Sequence, residues 1–119
     1  MKTVPNYNLR VFVGVSNSSN GEVSSATRFV YHQEGERLWG EYSGGSILSG
    51  HLQGRVFPDG SLEFLYHHEN VEGALMAGRC ESTPVLSDSG RLQLIERWQW
   101  FTGDQSSGES VVEEALPQV

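Results

Sequence analysis

Apolar residues fall at every second position in a series of short runs, each bounded by turn-forming residues, and almost nowhere at helical spacing. From Leu9 to Val15, the residues Leu9, Val11, Val13 and Val15 share one face and Phe12 and Gly14 the other, after which Asn20-Gly21 supplies a turn. Ala26 to Gln33 alternates Phe29, Tyr31 and Gln33 against Val30 and His32, and Glu34-Gly35-Glu36 interrupts it. Leu38 to Ser43 sets Leu38, Gly40 and Tyr42 against Trp39 and Glu41. Beyond Gly44-Gly45, Leu48, Gly50, Leu52, Gly54 and Val56 share a face opposite His51, Gln53 and Arg55. Pro58-Asp59-Gly60 turns the chain into a run with Leu62, Phe64, Tyr66 and His68 on one face and Glu63, Leu65 and His67 on the other. Past the turn at Asn70 to Gly73, Met76, Gly78, Cys80 and Ser82 oppose Ala77, Arg79 and Glu81, and Pro84, which lacks an N–H, is expected to end the ladder. Arg91 to Trp100 places Leu92, Leu94, Glu96, Trp98 and Trp100 together, Thr102 to Gly108 reads as loop, and Ser110 to Glu114 forms a last strand.

This pattern predicts an all-β fold of about eight strands joined by short hairpin links, with no helix long enough for a parallel crossover. An antiparallel meander of that size removes its edges by closing into a single up-and-down β-barrel, whose interior holds side chains or one small ligand. A β-sandwich is the alternative, but it needs longer Greek-key links than most of these turns allow. Glycine on alternate positions at Gly50 and Gly54 fits a tightly curved sheet in which large side chains approach the backbone.

The length of 119 residues suits one domain spanning 1–119, with a core at about 7–114 and a C-terminal tail at 115–119. Lysine occurs only as Lys2, and the formal net charge is −7, so no basic face is available for a phosphate backbone or an anionic membrane. Nucleic acid and membrane are therefore not expected partners. The lone Cys80 cannot close an intramolecular disulfide, the opening Met1-Lys2-Thr3-Val4-Pro5-Asn6 has no leader-like apolar run, and the cytoplasm is the expected compartment. No stretch approaches the roughly 18 apolar residues of a membrane helix.

Six strings in order carry a resemblance: Gly21-Glu22-Val23-Ser24-Ser25, Tyr31-His32-Gln33-Glu34-Gly35, Tyr42-Ser43-Gly44-Gly45-Ser46-Ile47, Gly50-His51-Leu52, Tyr66-His67-His68 and Glu96-Arg97-Trp98-Gln99-Trp100. From about Asn8 to Glu114 the chain resembles the small avidin-like bacterial proteins often labelled "N-acetylglutamate synthase" in genomes. The resemblance implies an avidin-like, calycin-like barrel. The label implies acetyl transfer, which in its usual fold needs a glycine-containing loop opening a helix to hold a pyrophosphate; neither occurs in this sequence. Nor do the residues match a biotin-contacting set one by one.

Glu96 carries the strongest chemical signal, because alternation places its carboxylate among Leu92, Leu94, Trp98 and Trp100. Burying a carboxylate is costly unless it is paired or hydrogen-bonded, and burial raises its pKa. Two readings follow: a structural link to Arg79 or a tyrosine, or a ligand anchor or general acid/base. Tyr31, Tyr42, Tyr66 and His68 share the inward faces with Trp98 and Trp100, giving an aromatic lining with polar tips that suits a small ligand. The same side chains can instead simply fill the barrel.

Of the histidines His32, His51, His67 and His68, the adjacent pair points to opposite faces, and no spacing indicates a metal. His51 and His67 read as surface or interface groups. Cys80 reads as a small buried residue, although Cys80 with His68, or Ser82 with His68 and Glu96, can be drawn as a nucleophilic set. The Asp104 to Ser110 segment reads as a hairpin or a lid at the barrel mouth, and Glu114 is a second, weaker interior carboxylate.

The expected function is a small-ligand-binding barrel without a cofactor, with a pocket of Tyr31, Tyr42, Tyr66, His68, Glu96, Trp98 and Trp100. Alternatives are an enzyme on the same barrel using Glu96 and His68 as an acid/base pair, with no assignable catalytic residue beyond these, and a homo-oligomer whose barrel is only a packed core. Trp39, His51, Gln53 and Arg55 on the outward faces suit an interface, most simply of a homodimer.

Overall fold

The computed structural model describes residues 6–88 and 90–115 of the chain. Residues 1–5, read above for a leader, and 116–119 of the expected tail lie outside the described residues. Eight strands follow in order: β1 (Val11–Asn17), β2 (Arg28–Glu34), β3 (Arg37–Gly44), β4 (Ile47–Val56), β5 (Leu62–Asn70), β6 (Leu75–Leu86), β7 (Leu92–Trp100) and β8 (Ser107–Glu114). Each pairs antiparallel with the next, and β8 returns to pair with β1 from Glu114 opposite Phe12 to Ser110 opposite Asn17. The sheet is thus a closed up-and-down barrel, as the alternation predicts, and the sandwich is excluded.

The inward faces follow the sequence pattern on β2, β3, β5, β6 and β7. On β1 the richer apolar face does not win: Phe12 is fully buried while Val15 and Leu9 are exposed. One aromatic ring fills more of a narrow interior than the β-branched residues facing away from it. The face predicted for β4 holds from Gly50 onward, but Ile47 is buried and Leu48 exposed, because the ladder slips between Ile47 and Ser49 opposite Asn70 and Glu69. A bulge reverses the face of every residue on one side of it.

Pro84 does not end β6 but sits inside it, opposite Leu94. The Ser87 N–H bonds the Arg91 carbonyl, so odd-numbered residues of this stretch turn their backbone groups toward β7, and Pro84 turns its nitrogen toward β5. The β5 ladder reaches only as far as Leu62 opposite Ser82, so no partner is lost. Likewise β8 begins at Ser107, earlier than the serine- and glycine-rich composition suggests.

The two ends of the barrel differ. At the end bearing links 35–36, 57–61 and 87–91, the segment before β1 folds inward, and Tyr7 is fully buried with its hydroxyl donating to the Gly60 carbonyl at 2.6 Å. Burial is the main reason its phenol is pushed up to about 12. Tyr7, Phe12, Tyr31, Leu38, Leu62 and Leu94 are all buried in this half.

The opposite end carries links 45–46, 71–74, 101–106 and the longest, 18–27. The turn expected at Asn20-Gly21 is closed by Gly21 N–H to the Ser18 carbonyl at 3.0 Å, without positive φ at either residue. The chain then runs on across the barrel end, where β1 and β2 have parted after Val13 and Arg28.

Rings at this end lie over inward glycines. A Cβ on Gly50 would stand 2.5 Å from Tyr42 Cζ and 2.7 Å from His68 Cβ, both anchored on neighbouring strands. Gly50→Ala is therefore expected to destabilise the barrel by about 1 to 3 kcal/mol through overpacking, measured by chemical denaturation. A variant as stable as the parent would mean these rings have room to move.

Candidate functional site

Above the packed half, the inward side chains leave a cavity lined by Tyr42, Tyr66, His68, Glu96, Trp98 and Trp100, with Asn17, Glu22, Phe64 and Cys80 completing parts of the wall. Its volume, measured as room for the centre of a water, is about 40 Å³, enough for about two or three water molecules. Six of the seven residues expected to form a pocket thus meet around one space.

Tyr31 is the exception. It is fully buried, but in the filled half, with its ring 5.0 Å from Phe12 and 6.3 Å from Tyr7. Its hydroxyl has no hydrogen-bond partner among the described residues, and burial, then the charge of Glu96, holds the phenol far above its usual pKa.

Glu96 forms the cavity floor, 4% exposed. Its partners are hydroxyls: Ser110 donates to Oε1 at 2.9 Å and Ser82 to Oε2 at 3.5 Å, from the strands flanking β7 on either side. The link to Arg79 expected above does not form, since outward alternation leaves Arg79 on the surface with Glu63 and Glu81. No ion pair to Glu96 exists among the described residues. Burial pushes this carboxyl from 4.5 up to about 7, while hydrogen bonds from Ser110, Ser82 and Cys80 pull the other way.

His68 stands at the mouth. Tyr42 Oη lies 2.8 Å from Nδ1, and Nε2 lies 2.7 Å from Glu22 Oε1. A carboxylate only accepts, so Nε2 carries a proton, and in the neutral ring Nδ1 accepts from the Tyr42 hydroxyl. Burial raises the Tyr42 phenol well above its usual value, keeping it protonated for that role. Trp100 closes the wall beside His68 at 5.8 Å between ring centres, and Trp98 lies 5.4 Å from Trp100.

The acid/base pair drawn between Glu96 and His68 is not a hydrogen-bonded pair: both line the cavity, but each is held by other partners. Ser82 bonds Glu96 and not His68, so the serine set does not assemble either. Cys80 lies 3.7 Å from Ser82 Oγ, buried, with burial foremost in pushing its thiol well above the usual range. That favours an inert thiol over a nucleophile. Glu114 is taken by Arg10, whose Nη1 reaches both carboxylate oxygens at 2.8 and 3.0 Å. No group of three or more His, Cys, Asp or Glu is placed to hold a metal among the described residues.

The mouth is covered by link 18–27, not by the 104–110 segment read as a lid. Trp100 Nε1 donates to the Asn20 carbonyl at 3.0 Å, and Asn20 Nδ2 donates to Ser106 Oγ and the Ser107 carbonyl, each at 2.9 Å. Glu22, Asn17 and Asn70 were not singled out from the sequence. The signal for Glu22 was length: its link has ten residues, 18–27, where the longest of the others, 101–106, has six, and long ordered links in small barrels carry function more often than short ones; Asn17 and Asn70 stand at strand ends and had no such signal.

A closed eight-stranded antiparallel barrel, packed at one end and holding an aromatic-walled cavity at the other, is the architecture of a small-ligand-binding barrel. The chain belongs to the avidin-like protein family, whose family model, described as "Avidin-like protein", matches residues 5–115. No curated protein and no solved structure matches the chain.

The raised pKa of Glu96 fixes the sign of a pH effect. Between 4.5 and about 7 the unfolded chain releases a proton that the folded one keeps, so stability present in full below pH 4.5 is lost as pH rises toward 7. The loss amounts to about 3 kcal/mol above that range. Glu96→Gln, neutral at every pH, should be more stable than the parent at pH 8, by up to that amount, and should gain nothing at pH 4. Urea unfolding at both values checks it, and a variant less stable at pH 8 would mean that the ionised carboxylate is what the barrel holds.

Proposed function

We propose that the protein binds one small molecule in the mouth-side cavity, with Glu96 and its two serines meeting a polar group at the floor and Trp98, Trp100 and Tyr66 enclosing an apolar body. The single observation carrying this is the division of the interior: the half around Tyr7 and Phe12 is occupied by buried aromatic and aliphatic side chains, and the half above Glu96 holds a cavity. A barrel serving only as a packed core has no reason to leave space beside a buried carboxyl, whose desolvation is costly. Its hydroxyls and indole set orientation while the rings supply contact area.

Screening small fragments by tryptophan fluorescence and by shift in melting temperature tests this. Bound fragments should perturb Trp98 and Trp100, and Glu96→Gln should weaken those with a polar end by about 1.5 to 3 kcal/mol, roughly tenfold to a hundredfold. Hits whose affinity is indifferent both to Glu96→Gln and to Trp98→Phe would place binding elsewhere.

One observation favours a second reading. A carboxyl with a pKa of about 7 exchanges protons readily at neutral pH, the property of a general acid/base. The acid/base alternative therefore rests on Glu96 alone rather than on a Glu96/His68 pair, and the "N-acetylglutamate synthase" label names one reaction it could serve.

For assembly we infer a homodimer through the outer face of β3 to β5. What supports it is that Leu65 is 59% and Trp39 37% exposed there, beside the stacked rings of His51 and His67, 5.6 Å apart. Light scattering at micromolar concentration should give twice the chain mass, and Leu65→Asp should return it to monomer. A monomeric parent protein contradicts the inference.

A further inference from the structure

The four histidines divide into two kinds. His32 and His68 are engaged through their ring nitrogens, the first by Glu41 and the second by Tyr42 and Glu22. His51 and His67 make no hydrogen bond among the described residues; each has the other's ring instead, stacked at 5.6 Å between centres with 30° between the planes. They stand directly opposite one another on β4 and β5, exposed on the outer wall.

Two neutral imidazoles on neighbouring strands form a chelating pair for a borderline transition-metal ion. On one tetrahedral zinc, with Zn–N bonds of about 2.0–2.1 Å, their ring centres lie about 5.2 Å apart. Those of His51 and His67 are at 5.6 Å already. Turning each ring about its last side-chain torsion, which is soft, brings one nitrogen of each toward a common point outside the wall. Two nitrogens are half of a zinc site. No group of three or more His, Cys, Asp or Glu completes it within one chain among the described residues.

The place of the pair in the sheet supplies the other half. β4 is the middle strand of the β3 to β5 face, and His51 lies near the midpoint of β4. An isologous interface sets the same patch of both copies around its two-fold axis, so a group at the centre of the patch meets its own copy. Trp39, Gln53 and Leu65 form the next row of the same face. Charge points the same way. Each copy carries a formal net charge of −7, and Glu41 stands opposite His51 on the side away from His67. An interface here gathers negative charge, which a divalent cation at its centre offsets.

We propose that His51 and His67 of two copies hold one zinc ion between them, four imidazoles in a tetrahedron, and that this ion locks the dimer. The inference rests on the homodimer reading above and adds to that interface a metal site separate from the cavity inside the barrel.

Metal-free protein without an affinity tag, titrated with zinc chloride in a calorimeter, should saturate at one zinc per two chains. Light scattering on dilution should show a dimer dissociation constant at least tenfold lower with zinc than with chelator. Cobalt(II) in place of zinc should give the intense visible bands of a four-coordinate ion rather than the faint ones of an octahedral ion. His51→Gln and His67→Gln should each weaken zinc binding at least tenfold, as should Leu65→Asp, which separates the copies. His32→Gln should leave zinc binding unchanged.

A dimer that zinc neither binds nor tightens overturns the site and leaves the dimer reading standing. One zinc per chain, held as tightly by Leu65→Asp as by the parent, overturns sharing between copies. A parent that is monomeric in chelator and dimeric with zinc supports the site, while the apolar face alone no longer accounts for the dimer. A parent that is monomeric under both conditions overturns both readings.

Discussion

Closure of the sheet between β1 and β8 is the constraint on which the rest of the molecule depends. A closed sheet has no edge and a fixed interior, so each strand must give its inward positions to a volume it cannot enlarge. Large rings can enter only where a facing position gives way, as Gly50 does to the ring of Tyr42. The same limit forces a choice at each end. Tyr7 closes one end from within, and at the other a ten-residue link, 18–27, lies across the opening.

Within that frame the polar groups form a graded series. At the floor, Glu96 is bonded only to neutral groups and held near neutrality in its titration by desolvation. At the mouth, Tyr42, His68 and Glu22 make a continuous hydrogen-bonded chain ending at the link. Trp98, Trp100 and Tyr66 lie between the two. A buried carboxyl without a cation is a stability cost at neutral pH, and proteins keep such costs mostly where a site uses them. The structure therefore separates a stabilising half, apolar and full, from a half whose composition serves recognition better than packing.

Much of this is written in period-two alternation. Glu96 could be placed inside because Leu94 and Trp98 flank it two residues away on either side, and the same logic brought Tyr42, Tyr66, His68 and Trp100 to one space. Alternation names a face but not a height along the barrel, which is why Tyr31 read as a pocket residue and sits in the packed half. It fails at a bulge, as at Leu48, and it cannot see which ladder has ended, as at Pro84. Ser110 was missed as a partner of Glu96, and Ser82 was grouped with it only as a nucleophile, because Arg79 offered a charge while two serines offered only hydroxyls, and nothing local to β7 records which side chains face Glu96 from the neighbouring strands. Glu22 was hard to read for a different reason: it lies in a link without periodicity, and its partners, His68 and Asn70, stand on β5, far from it in the chain.

The central claim is that a buried Glu96, its carboxyl held well above the ordinary range by desolvation, marks the boundary between the filled and the open half. Following the side-chain carboxyl carbon of Glu96 by NMR through a pH titration measures this directly. The account predicts a midpoint at about 7, set by desolvation. A midpoint in the ordinary carboxylate range, around 4.3, would show a solvated or cation-paired group and contradict it.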